Sequence, residues 1–190
     1  MTFASHTAET APEGSKEMVE GARRKFGFVP APVARIAESP ELLATFLGNT
    51  AAFDRSSLGT LEREVVIMTL ATRVECHYCV ALHSATMTRQ AVDAEVIAAL
   101  REGRPLADTK LEALRRFTDA VLATGGGVAE EDLNAFFAAG HDRRNALDVV
   151  LGVGTYTLST FANRLTGAPL DAAFEAHRWE PHHTGRSATA

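Results

Sequence analysis

Helical punctuation recurs along almost the whole chain, and the alternating Val, Ile, Thr and aromatic runs that would mark strands are almost missing. "KEMVEGARRKFGF" carries apolar Met18, Val19, Ala22 and Phe26 and stops at Gly27. "SPELLATFLGNTAAF" opens with Ser39 as cap and Pro40 in the first turn, where a missing N–H costs nothing. "TLEREVVIMTLATRV" begins at a Thr60 cap, with acids in its first turns at the positive end of the helix dipole. "VDAEVIAALREG" ends at Gly103, and "DTKLEALRRFTDAVLATGGG" shows one apolar face before a glycine run breaks it. "EDLNAFFAAG" follows. "RRNALDVVLGVGTYTLSTFANRLTG" is the longest apolar segment and predicts a helix buried on most sides, ending at Gly167. No repeat and no linker divides the chain, so 1–190 reads as a single all-α domain, with loose termini over about 1–13 and 180–190.

Composition excludes several classes of partner. A net charge of −5, with "RRK" and "DRR" short and set among acids, argues against nucleic acid. No stretch is long and apolar enough to span a bilayer. The first residues, "MTFASHTAETAPEGSKE", lack the charged and apolar regions of a signal peptide, which predicts a cytoplasmic, reducing setting. In that setting a close cysteine pair points to catalysis or metal binding rather than to a permanent disulfide.

Both cysteines of the chain lie in "RVECHYCVALHSA", residues 73–85. On a helix Cys76, Cys79 and His83 fall at i, i+3 and i+7 along one face, and Cys79 and His83 are one turn apart. A protonated imidazole beside a thiol favours the nucleophilic thiolate. A helix starting near Glu75 would also place both thiols in its first turn, where free N–H groups favour negative charge. Three readings compete: a redox dithiol, a zinc half-site, and two small core residues. Against zinc, ligands on one regular helix rarely close a tetrahedron, and no second pair exists. Against a core role, two cysteines landing three apart is about a one-in-a-hundred coincidence.

An imidazole base needs a group to orient it, and Glu64, at the edge of the apolar run "VVIM", is the candidate upstream. On one straight helix Glu64 and His83 would stand roughly 28 Å apart. They can meet only if the chain reverses near "TRVE", and the residues there neither demand nor forbid it.

The spaced set Glu64-VVIMTLATRVE-Cys76-HY-Cys79-VAL-His83 resembles the E-x11-C-x2-C-x3-H signature of the alkylhydroperoxidase D-like (AhpD-like) branch of the carboxymuconolactone decarboxylase superfamily. "FGFVPAPVARIAESPELLATFLG" and "TYTLSTFANRLTGAPLD" resemble the flanks of its longer members, so the likeness covers roughly residues 26 to 175. The resemblance implies a compact all-α fold, homo-oligomers, and a peroxidase that needs no cofactor. It also implies a reversal before Cys76. Cys79 would attack a hydroperoxide substrate, Cys76 would resolve the sulfenic acid, and His83, oriented by Glu64, would move protons. An external dithiol or thioredoxin-like reductant would return the pair. One position departs from the pattern: the best-characterised members resemble C-x-H-C, whereas Tyr78 stands before Cys79 here, an accessory hydrogen-bond donor that will not act as a base near neutral pH. Two alternatives remain: a cofactor-free decarboxylase-like enzyme, and a non-enzymatic redox or zinc-binding helical module. Asn163 and Asp171 read as a helix-end polar residue and a cap. Phe136 and Phe137 read as core or subunit interface, and His177, His182, His183 and Trp179 as part of a polar tail.

Overall fold

The computed structural model describes residues 3–181, and among them there are α-helices and short 3-10 turns but no strand. The helices are α1 (Lys16–Phe26), α2 (Ala31–Ile36), α3 (Pro40–Asp54), α4 (Thr60–Arg73), α5 (His77–Arg89), α6 (Ala94–Glu102), α7 (Thr109–Thr124), α8 (Glu130–Ala138) and α9 (Arg143–Thr166). The glycines named above end their helices as expected: Gly27, Gly103, Gly125 and Gly167 are all left-handed. Ser39 caps α3 by accepting the Leu42 N–H at 3.3 Å. Thr60 does not cap α4. It is the first helical residue, the cap is Gly59, and the Glu62 carboxylate accepts the Gly59 N–H at 2.7 Å.

Helix α4 is the axis of the molecule. All eight residues from Glu64 to Ala71 are buried, and α5, α6, α7 and α9 pack around them. A helix surrounded this way must be apolar on every side, as "VVIM" is. Glu64 is therefore a carboxylate within the core rather than a first-turn surface acid.

The chain reverses between α4 and α5 without glycine or proline. Glu75 adopts the left-handed conformation (φ 54°), and the Cys76 N–H donates back to the Ala71 carbonyl at 2.9 Å. This is the six-residue closure that usually recruits glycine. It turns α5 back against α4 and leaves Cys76 as the N-cap of α5.

Helix α9 corrects the expectation of burial on most sides. Leu147, Val150, Phe161 and Leu165 are 70%, 51%, 57% and 75% exposed. At 100° per residue they lie within about 60° of one another. Gly152, Tyr156, Ser159, Thr160 and Asn163 occupy the opposite, buried face. The helix is thus inverted, apolar outside and largely polar inside. The Phe pair separates: Phe136 is buried, stacked at 4.2 Å on Phe117 and 4.3 Å on His141, while Phe137 is half-buried.

The N-terminal segment is not loose over its described part. The His6 N–H donates to Ala34 O at 2.9 Å, the His6 ring meets Glu38 at 2.8 Å, and Ala11 is buried. At the other end Arg101 donates to the carbonyls of His177 (3.0 Å) and Arg178 (2.9 Å). Trp179 returns a bond from Nε1 to Arg101 O at 2.9 Å, so residues 177–179 are docked rather than tail. His182 and His183 lie outside the described residues.

Candidate active site

Burial of α4 and the turn at Glu75 bring the distant members of the motif together. Glu64 Oε2 and His83 Nδ1 are 2.8 Å apart, both side chains about nine-tenths enclosed. The reversal required for that meeting exists. The His83 ring stands edge-on to Tyr156, centroids 5.4 Å apart. Among the described residues no hydrogen bond joins His83 to either sulfur, so the imidazole lies beside the thiols rather than on Cys79.

Cys76 and Cys79 are both reduced and buried. The Cys79 thiol hydrogen-bonds the Cys76 sulfur, and this contact is the largest influence holding the Cys76 pKa down, from 9.0 to about 7. Burial opposes it, while the backbone N–H of Cys79, the Asn163 amide and the charge of Arg164 reinforce it. The N–H of Cys79 is one of the free donors in the first turn of α5, so the helix start stabilises the anion as expected. Cys79 moves the opposite way: its bond to Cys76, burial and the charge already on Cys76 push its thiol well up. The two thiols are thus coupled: the first ionisation of the pair is favoured and the second is opposed.

Tyr78 is drawn away from the chemistry expected of it. Its hydroxyl donates to Asp171 Oδ2 at 2.6 Å, and the same oxygen accepts the Ala31 N–H at 3.0 Å. Burial and the Asp171 carboxylate raise the phenol pKa far above its ordinary value. Tyr78 is a peg joining α5, the start of α2 and the C-terminal 3-10 turn (Ala172–His177), and Asp171 is the socket rather than a simple cap.

The sequence reading gave α9 no residue at the site, yet α9 lines it. Asn163 Nδ2 lies 3.4 Å from Cys79 Sγ and 3.9 Å from Cys76 Sγ. The Ser159 hydroxyl also hydrogen-bonds Cys79 and favours its anion. Tyr156, Ser159 and Asn163, at i, i+3 and i+7, thus face His83, Cys79 and Cys76, which run the other way along α5 at the same spacing. The spacing was legible in "YTLSTFAN", but its facing toward the thiols was not. A groove of about 430 Å³ lies near the end of α4, lined by residues including Thr72, Glu75, Arg101 and Trp179, and neither sulfur opens into it. Among the described residues no three or more His, Cys, Asp or Glu side chains converge as a metal site.

Residues 37–120, which include Glu64, Cys76, Cys79 and His83, match the model of the carboxymuconolactone decarboxylase family. No curated protein matches the chain. Solved structures do. The alkylhydroperoxidase AhpD core of an uncharacterized peroxidase-related protein from Ralstonia eutropha JMP134 superposes with TM-score 0.79 at 20% identity, over 90% of this chain and 93% of that one. An uncharacterized peroxidase-related protein from Silicibacter sp. TM1040 gives 0.73 at 21% identity, over 87% and 89%. A cysteine variant of the debrominase Bmp8 in complex with 2,3,4-tribromopyrrole gives 0.76 at 17%, over 93% and 95%. The family likeness thus rests on the segment that carries the motif, residues 37–120. The fold is the one these AhpD-like and peroxidase-related structures share.

Proposed function

We propose that the protein is a dithiol peroxidase in which Cys76 and Cys79 reduce a hydroperoxide and an external dithiol or thioredoxin-like protein returns them to the reduced state. The observation that carries this reading is the buried Cys76–Cys79 pair, free of a disulfide and contacted at both sulfurs by Asn163 Nδ2, beside the Glu64–His83 couple. The order of attack follows the resting charge and reverses the one the resemblance implied. The Cys76 thiolate attacks the terminal peroxide oxygen, the O–O bond breaks, and Cys76 becomes a sulfenic acid. The departing alkoxide takes the Cys79 proton and leaves as the alcohol. The new Cys79 thiolate attacks the Cys76 sulfur, forming the disulfide and releasing hydroxide. The proton that converts hydroxide to water comes through His83 Nε2, the ring nitrogen not bonded to Glu64.

An intramolecular disulfide restored by exchange suits a reducing cytoplasm. Among the described residues no helix is long and apolar enough to cross a membrane. The homo-oligomer belongs to the same reading: the outer face of α9, with Leu147, Val150, Phe161 and Leu165, is the apolar surface a second copy would cover.

The debrominase Bmp8 shares the fold, which makes dehalogenation the second reading to test. The reduced protein is given cumene hydroperoxide or 2,3,4-tribromopyrrole, with dithiothreitol as donor. The reading expects dithiol-dependent loss of hydroperoxide, abolished by Cys76→Ser and slowed by Cys79→Ser, where only the external dithiol can resolve the Cys76 sulfenic acid. Bromide release without peroxide turnover would move the function to dehalogenation, and loss of neither substrate would overturn both readings.

A further inference from the structure

Asn163 is 3% exposed, in the last turn of α9, and its main-chain carbonyl is held by the Ala168 N–H at 3.0 Å. Its Nδ2 straddles the two sulfurs, while its Oδ1 is buried with no partner among the described residues. A buried carboxamide with one end unpaired is unfavourable, and an apolar residue of equal size would remove that cost. Here the unpaired end belongs to the same amide whose other end touches both thiols. The site gains two groups from it: a donor for an anionic sulfur, and an acceptor still free for an O–H.

We propose that Asn163 is a positioning residue of the redox pair, holding the negative charge on the sulfurs through Nδ2 and receiving through Oδ1 the O–H of the Cys76 sulfenic acid. The proposal rests on the dithiol reading above. It assigns to α9 the part that no residue of the Glu-Cys-Cys-His set fills, since His83 is engaged with Glu64 and Tyr78 with Asp171. Hydrogen bonds to a charged group are the strong ones, and a thiolate removed from water depends on them. The other charged or titratable groups around the sulfurs are Arg164 and Tyr156 on α9, Tyr78 and His83 on α5, Glu64 on α4, and Asp171. All of these stay in place when Asn163 is changed.

The test needs no peroxide. Thiol alkylation by iodoacetamide is followed against pH, and the dithiol–disulfide equilibrium is measured in glutathione buffers, for wild type, Asn163→Leu, Asn163→Asp and Asn163→Gln. Asn163→Leu removes the donor with little change of volume and is expected to raise the alkylation midpoint by about one pH unit, a tenfold weaker acid. It is also expected to shift the equilibrium toward the disulfide, about twofold at pH 7 and approaching tenfold near pH 9, because the reduced state loses its stabilised thiolate. Asn163→Asp, which puts a second negative charge beside the pair, is expected to raise the midpoint further, and it serves alone if the Leu variant does not fold. Asn163→Gln, which keeps the amide, is expected to lie between wild type and Leu. A wild type that forms the disulfide, with midpoint and equilibrium unchanged in the Leu and Asp variants, would overturn the role of Asn163 alone. A wild type that forms no intramolecular disulfide would overturn the dithiol reading beneath it.

Discussion

His83 and Glu64 are nineteen residues apart in sequence and 2.8 Å apart in space, ring nitrogen to carboxylate, inside the core. Their meeting depends on one turn, at Glu75, which folds α5 back along α4. Glu64→Gln keeps an acceptor for the His83 N–H and removes the charge. It is expected to slow peroxide reduction about 10- to 100-fold with little change in thermal stability. Glu64→Leu leaves the imidazole unpaired in the core and is expected to add a stability loss of about 1–3 kcal/mol. Stopped-flow peroxide kinetics and thermal melts of both variants separate the two effects. Equal rates in wild type and Glu64→Gln would remove Glu64 from the chemistry.

The charge on Cys76 makes folding stability depend on pH. Its bond from the Cys79 thiol holds its folded-state pKa near 7, below the ordinary value of 9.0. A lowered pKa contributes stability that is full above about 9 and is lost as pH falls through about 7. Cys79, pushed up by its bond to Cys76 and by burial, acts in the opposite sense above pH 9, where only the unfolded chain ionises it. Urea titrations of wild type and Cys76→Ser should therefore diverge between about pH 7 and pH 9, with wild type gaining. Parallel curves across that window would contradict the assignment of the anion to Cys76.

Tyr78 is expected to matter for stability and not for acidity. Tyr78→Phe removes the 2.6 Å bond to Asp171 and leaves that carboxylate with the Ala31 N–H. The expected cost is about 1–3 kcal/mol, read from denaturant midpoints. The pH midpoint of thiol alkylation should stay at the wild-type value, and a shift of that midpoint would restore Tyr78 to the proton relay.

Gly152 sits where α9 presses closest on its neighbours. A Cβ there would come within 2.6 Å of the Phe53 ring and 3.0 Å of Val66. Alanine in a helix interior ordinarily gains up to about 1 kcal/mol over glycine. The buried Phe53 ring cannot withdraw, so overpacking, at about 1–3 kcal/mol, is expected to outweigh that gain. A lowered melting temperature for Gly152→Ala checks it.

Helix ends were legible because their signals are local: Ser39, Gly27, Gly103, Gly125 and Gly167 each act within one turn of their own position. The motif members were legible as residue types at a spacing. The break before Cys76 was not, because a glutamate takes the left-handed turn that sequence rules reserve for glycine. Helix α9 misled for a different reason. Its apolar periodicity is genuine, but periodicity does not say which side is inward, and here the apolar stripe at 147, 150, 161 and 165 faces out. Asn163 was missed on the same account, since its partners are 84 and 87 residues away. The proposed order of the two thiols rests on the Cys79 thiol and N–H together with Asn163 and Arg164 around Cys76, and the spacing of the cysteines reveals neither of the last two.

The central claim is a peroxide-driven Cys76–Cys79 disulfide, and the most direct measurement is peroxide titration followed by alkylation and intact mass. Wild type should lose two hydrogens and both alkylation sites, Cys79→Ser should stop as a Cys76 sulfenic acid, and Cys76→Ser should react slowly or not at all. A sulfenic acid trapped on Cys79 in Cys76→Ser would restore the opposite order of attack. Two thiols still free and alkylatable in wild type under excess peroxide would contradict the peroxidase itself.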